Sequence, residues 1–157
     1  MQYSQKYSFV GFLEHQENGS EFTMSDWPLH ITFADVFAID RHSVGIDEKI
    51  EKTLRSQKQA VIEPKQRAKL GDTEVILVEK TDEVLRLHML MINLLEQNGA
   101  VFNTPAFTKN GFLPHCTIQK SGTLQDRSKI TELSLVDMFP DNNWKLRRVL
   151  ATFKLSG

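Results

Sequence analysis

Apolar and polar positions along the chain follow different periodicities, and each marks a different kind of element. In "KYSFVGFLE" (6–14) odd and even positions are apolar alike, which predicts a strand covered on both faces. "HQENGSEFTMSD" (15–26) is polar, holds Asn18-Gly19 and reads as a loop. In "LHITFADVFAI" (29–39) the period is two: Leu29, Ile31 and Phe33 share one face of a strand, while His30 and Thr32 share the other. "GIDEKIEKTLRSQK" (45–58) spaces Ile46, Ile50 and Leu54 by four. Acidic residues lead it and Lys52, Arg55 and Lys58 follow, as the helix dipole favours. Its apolar stripe is narrow, so this helix is expected on the surface of a sheet.

"AVIEPKQRAKL" (60–70) and "TEVILVEK" (73–80) flank Gly71-Asp72, a two-residue hairpin signal. Thr81-Asp82-Glu83 caps a stronger helix, "VLRLHMLMINLLEQN", which stops at Asn98-Gly99. After a loop over 100–112, "LPHCTIQK" (113–120) repeats the histidine–threonine alternation with His115 and Thr117. Two further strands, "ITELSLVDMF" (130–139) and "WKLRRVLATFKL" (144–155), are joined by the turn "PDNN". The order β, β, α, β, β, α, β, β, β predicts an α+β fold with antiparallel sheet. Pro28-Leu29-His30-Ile31-Thr32-Phe33 echoes Leu113-Pro114-His115-Cys116-Thr117-Ile118, with the two histidines 85 residues apart (115 − 30). That is about half the chain, so a single domain over 1–157 with a duplicated lobe is expected.

Composition narrows the class. With 25% charged residues and a net charge of −1, nothing global steers a polynucleotide, although a small phosphate ligand needs only local donors. No apolar run approaches the roughly 20 residues that span a bilayer, and the N-terminus lacks a signal-peptide pattern. The one cysteine, Cys116, permits no internal disulfide and no CxxC metal knuckle. A cytoplasmic protein without a membrane partner is expected.

Two His-x-Thr/Ser matches arise by chance in roughly one such chain in eight, so the pattern alone is weak. Its context is sharper, because both copies sit on strands that bury the opposite face. Each strand offers an imidazole and a hydroxyl about 7 Å apart. Paired imidazoles can divide acid–base work, one neutral and taking a proton from water, the other protonating a departing sugar oxygen. Threonine hydroxyls can donate to the non-bridging oxygens of a phosphodiester. No HExxH, carboxylate cluster or His-x-His pair accompanies the motif, so neither metal nor cofactor is expected.

"WPLHITF" and "GFLPHCTIQ" resemble the paired His-x-Thr motifs of the two-histidine (2H) phosphoesterase superfamily, the 2′-5′ RNA ligase-like proteins and LigT-like cyclic phosphodiesterases. "LHMLMINLLEQNGA" and "SLVDMFPDNNWKLRRVLATFKL" are similar to that family's helix and closing hairpin, while "SGTLQDRSK" is short for the helix expected there. The resemblance implies two similar lobes about a pseudo-two-fold axis, with a central groove between the histidines. It implies His30 and His115 as catalytic and Thr32 and Thr117 as substrate-binding. The implied substrate is a nucleotide or RNA-terminal 2′,3′-cyclic phosphate, or a related 2′-5′ linkage, hydrolysed by a metal-independent monomer. Alternatives are a non-catalytic nucleotide or RNA-end binding module, and reversible 2′-5′ RNA ligation.

Other residues carry weaker signals. Alternation turns Cys116 into the core, where a thiol is a poor nucleophile. His88 reads as a packed helix residue, and His15 and His42 lie at loop ends. The basic clusters 64–69 and 145–148 are read equally well as solvated strand edges or as a backbone-binding rim. Tyr7, Phe9, Phe12, Trp27 and Phe112 are candidates for base stacking or for core. As groove residues, neither motif histidine is expected to contribute to core packing.

Overall fold

The computed structural model describes residues 5–156. In chain order the strands and helices are β1 (Tyr7–Phe12), β2 (Glu21–Thr23), β3 (His30–Ala38), α1 (Arg41–Val44), α2 (Ile46–Leu54), β4 (Ala60–Ile62) and β5 (Pro64–Leu70). Then follow β6 (Thr73–Val78), α3 (Asp82–Gln97), β7 (Val101–Phe102), β8 (His115–Thr117), β9 (Ser128–Ile130), β10 (Glu132–Asp137) and β11 (Leu146–Lys154). Among the described residues no helix is long and apolar enough to cross a membrane.

The local signals act as their chemistry requires. α2 buries Ile46, Ile50 and Leu54 and begins with Asp47 and Glu48. In α3 the Thr81 hydroxyl accepts the Val84 N–H at 3.3 Å, satisfying one orphan donor of the first turn. Its buried side chains, Val84, Leu87, His88, Met91, Ile92 and Leu95, recur at three and four residues. Gly71 takes φ 63°, as the β5–β6 hairpin needs. Several expectations change. Glu21–Thr23 and Val101–Phe102, inside expected loops, pair with β11 and β3, and Ala60–Ile62 leaves the hairpin to pair with β9. The strand expected over 130–139 is divided between β9 and β10.

One sheet has the order β2-β11-β10-β1-β3-β7, all pairs antiparallel, and a second has β5-β6-β8. The inner strands of the larger sheet serve two faces. Phe9, Ile31, Phe33, Leu133, Leu135 and Phe153 join Ile50, Leu54, Leu87 and Met91 of the helices in the main core. On the other face Val10, Phe12, Val136 and Val149 form a smaller apolar floor with Phe22, Trp27 and Met138 around it. A β-bulge interrupts the β1–β3 register: Phe9 lies opposite Ala34, but Val10 lies opposite Thr32. The extra residue sends both Phe33 and Ala34 into the core, so the groove face continues as His30, Thr32 and Asp35.

His88 is a structural joint. Its Nδ1 donates to the Phe33 carbonyl at 2.7 Å, its Nε2 accepts the Lys109 N–H at 2.9 Å, and its ring stacks on Phe112 at 3.8 Å. One donor and one acceptor fix the neutral tautomer, and burial lowers its pKa.

Gly11 is where β1 meets the β4–β9 pair. A Cβ there would stand 2.7 Å from Ile130 Cγ2 and 3.1 Å from the Phe33 ring. Gly11→Ala is expected to destabilise the fold by about 1–3 kcal/mol through overpacking. Urea denaturation checks this, and an unchanged midpoint would show that the contact yields freely.

Candidate active site

β3 and β8 carry the two histidines from different sheets and lie in contact with each other. β8 is held by β6, with Leu77 opposite His115, Ile76 opposite Cys116 and Val75 opposite Thr117. His30, Thr32, His115 and Thr117 all line one cavity of about 650 Å³. Ser8, Trp27, Asp35, Asp72, Glu74, Gln119, Met138 and Arg147 line it with them.

The imidazoles are held in the same way. His30 Nδ1 lies 2.7 Å from the Pro28 carbonyl, and His115 Nδ1 lies 2.7 Å from the Leu113 carbonyl. A carbonyl can only accept, so each Nδ1 carries the hydrogen and each Nε2 is left for a ligand. Their depths differ. His30 is only 6% exposed, its ring 3.8 Å from that of Trp27 and 5.8 Å from Phe12, whereas His115 is half-buried. Burial, assisted by the nearby His115 and Arg147, pushes the His30 pKa down to about 4 against the opposing bond to Pro28. His30 therefore packs as well as faces the groove, which corrects the expectation that it would contribute nothing to packing.

Cys116 is fully buried and burial pushes its thiol up to about 11, so it is no nucleophile at neutral pH. Ile118, which strict alternation would put on the same face as Cys116, lies beyond the end of β8 and lines the groove. Among the aromatic candidates Tyr7, Phe9 and Phe112 belong to the main core and Phe12 to the apolar floor, while Trp27 walls the cavity.

Two polar contacts clasp the loop before β3 to the loop after β8. Gln119 Oε1 accepts the Trp27 N–H at 3.2 Å, and Asp26 Oδ1 accepts from the Ser121 hydroxyl at 3.0 Å and its N–H at 3.3 Å. The basic clusters part company. β5 lies at a sheet edge with Lys65, Arg67 and Lys69 exposed, and none of the three lines the cavity. On β11 Arg148 pairs with Glu21 and Asp141, while Arg147 turns inward. The alternation of a strand separates the two arginines, but the sequence did not say which of them would face the groove. Among the described residues no group of three or more His, Cys, Asp and Glu side chains is arranged to hold a metal ion.

Residues 10–150 match the family model of the 2′-5′ RNA ligase superfamily. No curated protein sequence matches the chain. Among solved structures, apo LigT of E. coli is similar with a TM-score of 0.63 at 13% identity, covering 98% of each chain. LigT complexed with 3′-AMP gives 0.60 at 12%, covering 99% of this chain and 100% of that one. TT0787 of Thermus thermophilus gives 0.59 at 14%, covering 97% and 98%. At these identities the likeness speaks for the fold, an α+β arrangement in two lobes.

The depressed His30 pKa has a consequence for stability. As pH falls below 6.5 the unfolded chain takes up a proton that the folded chain refuses until about pH 4. Stability contributed by neutral His30 is thus present above 6.5 and lost on acidification, by roughly 3 kcal/mol across that window. Denaturation of the wild type and His30→Gln at pH 7, 5.5 and 4 is expected to show the stability gap shifting in favour of the variant as pH falls. Parallel pH dependences would contradict a neutral, buried His30.

Proposed function

The chain belongs to the 2′-5′ RNA ligase superfamily, and from that premise we propose that it is a metal-independent phosphodiesterase acting on ribose 2′,3′-cyclic phosphates or related 2′-5′ linkages. The observation that carries this reading is the pair of imidazoles lining one cavity, each with Nδ1 tied to a carbonyl and Nε2 left for a ligand. Nucleotide complexes of LigT, such as that with 3′-AMP, support a nucleotide as the occupant. The working unit is the whole chain, 1–157, as one bilobal domain, and its expected place is the cytoplasm.

Neutral His30 suits the role of base. Its Nε2 takes a proton from water as the water oxygen bonds to phosphorus. The ribose oxygen leaves with its electron pair and takes a proton from His115, giving a phosphomonoester. Solvent exchange then restores both rings. The hydroxyls of Thr32 and Thr117 donate to the non-bridging oxygens, where charge accumulates. Division of the proton transfers between two side chains asks for no Lewis acid.

His30→Ala and His115→Ala are each expected to lower kcat/KM on a 2′,3′-cyclic nucleotide by about 10²–10⁴-fold. Thr32→Val and Thr117→Val are expected to cost about ten- to a hundredfold. Chelator is expected to leave the rate unchanged. Binding of 2′-nucleotides by the wild type without turnover of any cyclic phosphate would make the groove a binding module instead.

With His30 as base, the acidic limb of kcat/KM belongs to the free enzyme and is expected well below pH 6.5, since His30 stays neutral down to about 4. A limb at 6.5 or above would take the base role from His30.

A further inference from the structure

Arg147 brings a permanent positive charge into the groove. Its neighbour Arg148 binds both Glu21 and Asp141, whereas Arg147 forms no ion pair with a carboxylate among the described residues. Its Nη1 donates instead to the backbone carbonyls of Trp144 and Leu146 at 2.9 Å and of Met138 at 3.3 Å. Those bonds aim the guanidinium, which lies 5.8 Å from the centre of the Trp27 ring. Its Nε is buried and has no partner among the described residues. A half-buried guanidinium with one unsatisfied N–H is less favourable than one whose donors are all completed. Carbonyl oxygens orient a guanidinium but do not neutralise it.

Charge is divided across the cavity. Arg147 enters from β11, and two strands, β10 and β1, separate β11 from β3, which carries Asp35. The carboxylates of Asp72 and Glu74 come from the smaller sheet, and Glu74 is already paired with Arg67. An anion is therefore drawn towards Arg147 and away from Asp35. Arg147 and His30 line the same cavity beside one aromatic ring, the guanidinium 5.8 Å and the imidazole 3.8 Å from the centre of Trp27.

We propose that Arg147 is a third anion-binding group of the groove, donating from its guanidinium to a non-bridging oxygen of the phosphoryl group that His30 and His115 act upon. This rests on the phosphodiesterase reading for the identity of the anion, but the binding itself is separable. His30 is already neutral above about pH 4, whereas a guanidinium keeps its charge in alkaline solution, so phosphate affinity there tests Arg147. A ring-opened monoester, with one more negative charge than the cyclic diester, gains more from it. Product inhibition is the consequence.

The test is calorimetric titration of inorganic phosphate and of a nucleoside 2′-monophosphate at pH 8, on the wild type, Arg147→Gln, Arg147→Lys and Arg148→Gln, each checked for folding by circular dichroism. Arg147→Gln is expected to weaken both ligands by about ten- to a hundredfold, with Arg147→Lys intermediate. Arg148→Gln, which disturbs the same strand from its other face, is expected to bind as the wild type does. Guanidinium ion is expected to restore part of the lost turnover to Arg147→Ala, which a purely structural role would not allow. Wild-type affinity in a folded Arg147→Gln, or an equal loss in Arg148→Gln, would overturn the proposal. Phosphate bound through Arg147 by a protein that hydrolyses no cyclic phosphate would sink the phosphodiesterase reading alone. Turnover with unaltered phosphate affinity in Arg147→Gln would sink this one alone.

Discussion

Each imidazole of the groove gives its Nδ1 hydrogen to the carbonyl two residues before it, and this bond decides what else the site can be. It settles the tautomer and leaves the free lone pair of each ring on Nε2. It also ties the ring to its own strand, so that orientation comes from backbone geometry rather than from a distant partner. Both copies use the residue pair before the histidine, Pro28-Leu29 in one and Leu113-Pro114 in the other, although proline supplies the carbonyl in only the first.

Around those two bonds the larger sheet packs the helices on one face and, on the other, carries the polar groove beside a smaller apolar floor. Phe9, Ile31 and Phe33 hold the larger sheet against α2 and α3 while His30, Thr32 and Ser8 look the other way. Burial on the groove side is not an accident of packing either. Trp27 and Phe12 shield His30 from water and so keep it uncharged, while the Asp26–Ser121 and Trp27–Gln119 contacts hold that shield against the loop of the other motif. Arg147 adds a permanent positive charge to this wall of the groove, with its Nε buried and unpartnered among the described residues.

Features that depend on nearest neighbours were legible in the sequence. The alternation around His30, the Thr81 cap and the Gly71 hairpin each follow from residue type at a fixed offset, and each is present. Features created by a distant partner were not. β2 is a strand because β11 offers it an edge, and Ala60–Ile62 leaves its hairpin because β9 is there to receive it. The bulge that brings Asp35 into the groove is visible only in the mismatch between β1 and β3. The depth of His30 depends on Trp27 folding over it, and no periodicity within the strand encodes that. Arg147 lay in a basic run that sequence could not divide into inward and outward members.

The order of the larger sheet has a consequence for how the protein is made. β1 lies between β3 and β10, and β10 in turn separates β1 from β11. Residues of β1 are thus paired on one side with residues translated much later, such as Tyr7 with Asp137 and Val10 with Ser134. A nascent chain that has delivered β1 and β3 from the ribosome has an apolar edge with nothing yet to cover it. Such long-range closure is slow, and an open edge of this kind is what molecular chaperones recognise. The two histidine motifs echo each other, yet neither half of the chain holds the strands to complete the larger sheet before the last of them arrives.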